Sequence, residues 1–189
     1  MKKASQIIRT IAFTFAFILI LSVNLPIAYA AYETDADVQS APAVLYDEAQ
    51  TITEAFKAEV LVLINMEREK AGVATLEGME LLSGMADVRA EESSSTFRHT
   101  RPDGTRCFTI FKENALRYKA AGENLAFGYS QAGDLVRAWM NSPSHRANIL
   151  DPDFNFIGIG YFDNGRRAYS SLLFYTPKNE INLTPTAAD

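Results

Sequence analysis

One cysteine, two histidines and one tryptophan in 189 residues leave few of the side chains from which reactive sites are usually built. With Cys107 alone, no disulfide can form within the chain, so packing must hold the core. Basic residues are scarce as well. Lys2, Lys3 and Arg9 lie in the first thirty positions, and without that leader 15 basic residues face 23 acidic ones, a net −8. This balance excludes nucleic acid and anionic membrane surfaces as partners, because both ask for basic patches. It favours neutral or cationic partners instead. Repeats and low-complexity blocks are absent, and no membrane-length apolar run follows the leader.

The leader carries its three positive charges ahead of an apolar run from Ile11 to Val23, which Asn24 and Pro26 break. Ala28 and Ala30 place small residues where a signal peptidase reads them. The run falls short of the roughly 20 residues a membrane span needs. Residues 1–30 are therefore predicted to be a cleaved secretory signal, leaving a secreted chain that starts at Ala31 and has no permanent membrane span. Secretion without disulfides points to a bacterial source. Residues 31–50 mix Pro42 with acids and small residues and read as a flexible linker. Residues 51–177 suit one domain, a monomer, with a polar tail over 178–189.

Within the domain, Thr51 and Glu54 have capping-box spacing. Phe56, Val60, Leu63, Ile64 and Ala71 then mark one face of a helix ending at Gly72. A second helix is predicted with Leu81, Leu82, Met85 and Ala86 inward and Arg89, Glu91 and Glu92 in water, ending at the Ser93–Thr96 run. Arg101-Pro-Asp-Gly104 is a β-turn signal, preceded by His99 in a short extended piece. Asp103 is read as the cap of a helix starting near Thr105, on whose apolar face Cys107 reads as core. Ala120–Gly128 suggests a buried strand with Glu123 at its centre, where a carboxylate must be paired. Leu135, Val136, Trp139 and Met140 have helical spacing, and Ser142-Pro143 ends that helix and starts another. His145 then sits in a first turn, where the helix dipole favours the neutral imidazole. Phe156–Phe162 and Ala168–Tyr175 are strand candidates joined through Asp163-Asn-Gly165.

Four stretches stand in order: RHTRPDG, AAGENLAFG, AWMNSPSHRANIL and FNFIGIGYF. Together they resemble the bacterial branch of the CAP superfamily, the group of cysteine-rich secretory, antigen 5 and plant pathogenesis-related 1 proteins. The resemblance runs over about residues 53–176. It implies an α+β fold, a three-layer α-β-α sandwich around a small, mainly antiparallel sheet. It also implies a cleft lined by two histidines and two acids, which in some members holds a divalent metal. His99, Glu123 and His145 match three of those positions. The second acid would fall at Ser142, and a glutamine common in bacterial relatives falls at Leu172, so both are departures.

Three roles follow for this cleft. It can bind a ligand without turnover: a lipid, a cell-wall component or a protein. It can hydrolyse, with His99 and His145 as ligands of a zinc-like ion and Glu123 as base or imidazole partner. Or the polar cluster can be structural, which requires every member to be satisfied. Binding or scaffolding takes precedence over hydrolysis, because no nucleophile pairs with the histidines and Ser144 points away from His145.

Overall fold

The computed structural model describes residues 43–179. The predicted signal, residues 31–42 of the expected linker, and the tail from residue 180 lie outside the described residues. α1 (Ala43–Lys70) is the longest element. It begins at Ala43 rather than Thr51, so residues 43–50, expected in the linker, are helical. Alanine, leucine, glutamate and glutamine are good helix formers, and here their propensity outweighs the linker-like composition. Val60 and Ile64 are buried and Phe56 and Leu63 half-buried, as the spacing predicts, whereas Ala71 is exposed beyond the helix end. Gly72 takes φ +72°, which reverses the chain there.

β1 (Glu77–Gly78), β2 (Tyr118–Phe127), β3 (Phe156–Asp163) and β4 (Ala168–Pro177) form one four-stranded sheet in the order β1-β3-β4-β2. β1 runs parallel to β3, and the other pairings are antiparallel. α2 (Glu80–Ser95) and α3 (Thr109–Glu113) cover one face of the sheet; α1, α4 (Ala132–Asn141) and α5 (Pro143–Ile149) cover the other. The first core joins Leu82, Met85 and Ala86 to Phe111, Leu173 and Tyr175. The second joins Val60, Ile64, Leu135 and Trp139 to Ile157, Ile159, Leu172 and Phe174. This is the expected three-layer sandwich.

Alternation along β3 explains how close α2 lies. Ile157 and Ile159 point to the α1/α4 side. Gly158 and Gly160 face α2, where a Cβ on Gly160 would stand 2.0 Å from the Ala86 carbonyl oxygen. Two α2 side chains also bond the β3 backbone: Ser83 Oγ accepts from the Ile159 N–H at 3.2 Å and Asp87 Oδ1 from that of Tyr161 at 2.9 Å.

Other local readings changed. The piece at His99 makes a single bridge, Thr100 to Arg106, and no sheet strand. Arg101–Gly104 does turn, with the Gly104 N–H bonding the Arg101 carbonyl at 2.9 Å. Asp103 caps no helix: its Oδ1 accepts from the N–H and hydroxyl of Thr105 at 2.9 and 2.7 Å, and α3 starts only at Thr109. Leu81, expected inward, is 44% exposed. No helix of the described residues is long and apolar enough to cross a membrane.

Candidate functional site

β2 is one of the two outer strands of the sheet, and the site is built around its middle. Glu123 lies there, with its side chain 1% exposed. A carboxylate so buried needs partners for both oxygens. Oε1 accepts from Arg89 Nε at 2.7 Å; Oε2 lies 2.7 Å from His99 Nδ1 and 3.4 Å from Arg89 Nη2. Arg89 is therefore no solvent-facing residue of α2 but one of its most buried side chains. The signal was present in the spacing: Leu82, Met85, Ala86, Ala90 and Ser93 are all buried, and their helical stripe runs straight through position 89.

The ion pair continues outward. Arg89 Nη1 meets Glu92 Oε2 at 2.5 Å, and its Nη2 bonds the Arg98 carbonyl at 3.0 Å. Arg101 reaches the same Glu92 at 2.8 Å and Glu113 at 2.6 Å. The loop carrying His99 is thus strapped to α2 and α3 by alternating charges. Cys107 lies behind Glu123. Burial, then the nearby carboxylate, push its thiol up to about 12. It is a core thiol, as the sequence suggested, but it sits in the turn ahead of α3 rather than on a helix face.

These neighbours shift the titrations. The hydrogen bond to Glu123 raises His99 above its ordinary 6.5. Burial alone would raise Glu123, but the bonds from His99 and Arg89 outweigh it and hold the carboxyl below its ordinary 4.5. Burial, then the charge of His99, lower His145 below 6.5.

His145 occupies the first turn of α5, behind Ser142 and Pro143, as the sequence predicts, although the Ser142 side chain makes no cap bond. Two asparagines fix it against the strand. Buried Asn124 donates to the His145 carbonyl at 3.0 Å and accepts from Asn148 at 2.8 Å; Asn148 also donates to the Glu123 carbonyl at 3.3 Å. Neither asparagine was singled out from sequence. Trp139, 1% exposed, donates Nε1 to the Leu125 carbonyl at 3.4 Å. In front of this wall lies an open cleft of about 340 Å³, lined by Phe97, Leu125, Phe127, Tyr129, Trp139 and His145 among others.

Of the three residues picked from sequence, His99 and Glu123 are directly bonded. His145 faces the cleft nearby, within reach of the His99 charge. The donor set fits a zinc-like ion poorly. His99, Cys107 and Glu123 have ligand atoms within 4.8 Å of one another, but the thiol is held protonated, and both carboxylate oxygens are engaged beside a fixed guanidinium. Position 142 holds a serine, so no second carboxylate enters from there. Two imidazole nitrogens remain.

The sequence model of the cysteine-rich secretory protein family, CAP, matches residues 61–176, more than half of the chain. In Bacillus subtilis, the uncharacterized protein YkwD is 38% identical over 119 residues, 62% of this chain and 46% of that protein. The uncharacterized membrane protein YlbC of the same organism is 28% identical over 117 residues, 61% of this chain and 33% of its own. The chain thus spans under half the length of the curated relatives it matches. Among solved structures, an outer surface protein of Borrelia burgdorferi aligns with a TM-score of 0.62 at 24% identity, covering 67% of this chain and 96% of that one. An extracellular SCP-domain protein of Bacillus anthracis aligns at 0.60 and 21% identity, covering 65% and 40%. With the motifs, the three-layer sandwich and the family match in agreement, the chain belongs to the CAP, or cysteine-rich secretory protein, family.

Proposed function

We propose that this chain is a bacterial binding module that works outside the cell or at its envelope, holding a ligand or partner in the His99/His145 cleft without turnover. One observation carries this reading: both oxygens of Glu123 are already bonded, to Arg89 and His99. A general base needs a lone pair aimed at the substrate proton, and this carboxylate braces the cleft wall instead. The aromatic lining suits a ligand with an apolar portion. The test uses Glu123→Gln and its parent, with generic ester and peptide substrates and native mass spectrometry of protein recovered from culture medium. A retained non-covalent mass and no cleavage by either protein support a binding module. Cleavage by the parent that vanishes in the variant would make Glu123 catalytic and the chain a hydrolase.

A hydrolytic reading draws on a second observation. The Glu123 bond to His99 Nδ1 leaves Nε2 as the outward nitrogen, the orientation that a carboxylate partner gives metal-binding histidines. Among the described residues His99 Nε2 and His145 would be the protein ligands, so an ion of zinc's kind should bind weakly, with water in the other positions. Protons compete for the same nitrogens, and the raised His99 value makes that competition strong already near neutrality. Calorimetry with zinc at pH 7.5 and 5.5 should give a small heat at the higher pH that is lost at the lower. A His99→Ala, His145→Ala double variant should give none. Equal heats from both proteins would place the ions elsewhere on the acidic surface.

A further inference from the structure

Basic side chains of the β3–β4 hairpin stand at one end of the cleft. Phe97, Phe127 and His145, from three separate segments, all line it. Arg98 and His99 follow Phe97, Arg146 follows His145, and the hairpin beside Phe127 carries Arg166 and Arg167. The Arg167 guanidinium lies 4.7 Å from the centre of the Phe127 ring, which places one cation on the cleft lining itself. Of the acids nearby, Glu123 is neutralised by Arg89 and His99, and Asp163 lies beside Arg166 and Arg167 on the hairpin. Arg166 and Arg167 line a second pocket that shares Tyr129 with this cleft, so two guanidinium groups stand at its end.

The lining supplies the apolar half of the recognition. Phe97 and Phe127 are 44% and 40% exposed and meet edge to face, with ring centroids 4.7 Å apart. Large rings left at the surface in a contiguous group mark a binding surface rather than chance exposure. The strand edge supplies a third element. β2 has a neighbour on one side only. Side chains of Asn148 and Trp139 close its outer edge at Glu123 and Leu125. Beyond Leu125, at Phe127, no described side chain bonds the outer edge, and an extended chain can pair there.

We propose that this cleft docks an extended acidic peptide segment of another protein, with an apolar ring seated among Phe97, Phe127 and His145 and flanking carboxylates facing Arg167 and its basic neighbours. This rests on the binding-module reading and departs from the expectation, drawn from net charge, of neutral or cationic partners. At about 340 Å³ the cleft is near the small end of ligand sites, enough for one anchoring side chain and its flanks.

The test is fluorescence anisotropy on the full chain with labelled pentapeptides: Asp-Glu-Phe-Asp-Glu, the same acids around serine, and Lys-Arg-Phe-Lys-Arg. Inorganic polyphosphate serves as a competitor, and mass spectrometry of each mixture follows cleavage. The acidic phenylalanine peptide should bind. Affinity should fall about tenfold for Arg167→Glu, the order of one lost charge contact, and fall again in high salt. Phe127→Ser should weaken it similarly, and circular dichroism should show both variants folded. Equal binding of the basic peptide, or indifference to both substitutions, overturns the proposal. Polyphosphate binding without peptide binding overturns it too and assigns the arginines beside the cleft to phosphate polymers. Peptide that is neither bound nor cut removes this inference and leaves the binding module standing. Peptide bound and then cut keeps the docking site and removes the module reading.

Discussion

His99 and His145 move in opposite directions from the same ordinary value, the first upward through Glu123, the second downward through burial and the charge of the first. Between their two values one imidazole is charged and the other neutral. Proton NMR should resolve two steps, the higher at His99, and Glu123→Gln should bring them together. For stability, the raised His99 contributes fully below 6.5 and loses its contribution as pH rises through its folded value. The depressed Glu123 contributes above 4.5 and loses it as pH falls through its folded value. Their pair therefore helps most between about 4.5 and 6.5. Lowered His145 works the other way, contributing above 6.5 and less in acid. The difference in urea midpoint between parent and His99→Gln should thus widen from pH 8 to pH 5.5, and a constant gap would show that the bond to Glu123 does not discriminate between protonation states. Removing one member of a buried pair costs about 3–5 kcal/mol, so Arg89→Ala should be far more damaging than any exposed arginine change. His99 and His145 were legible because histidine is so rare in this chain, and Glu123 because a carboxylate at the centre of a buried strand must be paired. Arg89 was not: its identity says surface, and only the stripe around it says otherwise.

Among the elements, α4 and α5 were the easiest to read, since Trp139 and Pro143 mark the face of one and the start of the other. Trp139 fills the junction between α4 and β2. Trp139→Ala should cost about 3–5 kcal/mol, measured by urea unfolding. An unchanged midpoint would be incompatible with an indole 1% exposed. The glycines of Phe156-Ile-Gly-Ile-Gly160 have a purpose that reading the stretch as a strand did not supply: they let α2 lie against the sheet. The start of α1 was illegible for a physical reason. Its first turns have helix formers but no apolar period long enough to announce a packed face.

For the molecule as a whole, the layer order was readable from the motifs, while β1 was not, because two residues carry no period. The predicted signal carries its own test: N-terminal sequencing of secreted material should find Ala31, and a retained Met1 would favour an anchor. Arg68 shows how a disulfide-free domain is closed. From the end of α1 it donates to the carbonyls of Ala74, Ile149 and Asp151 at 2.6, 2.7 and 2.9 Å, tying helix ends that cystines could otherwise join. The solitary Cys107 then has a practical consequence. Only a thiolate reacts with a disulfide reagent, and a thiol that is 3% exposed and held near 12 offers almost none while the domain is closed. At neutral pH the rate of labelling should count the openings of the wall behind Glu123, a clock built into the chain. A ligand that grips His99 should slow that clock, and one lodged in the groove of about 370 Å³ between α1 and α4 should leave it ticking at its own pace.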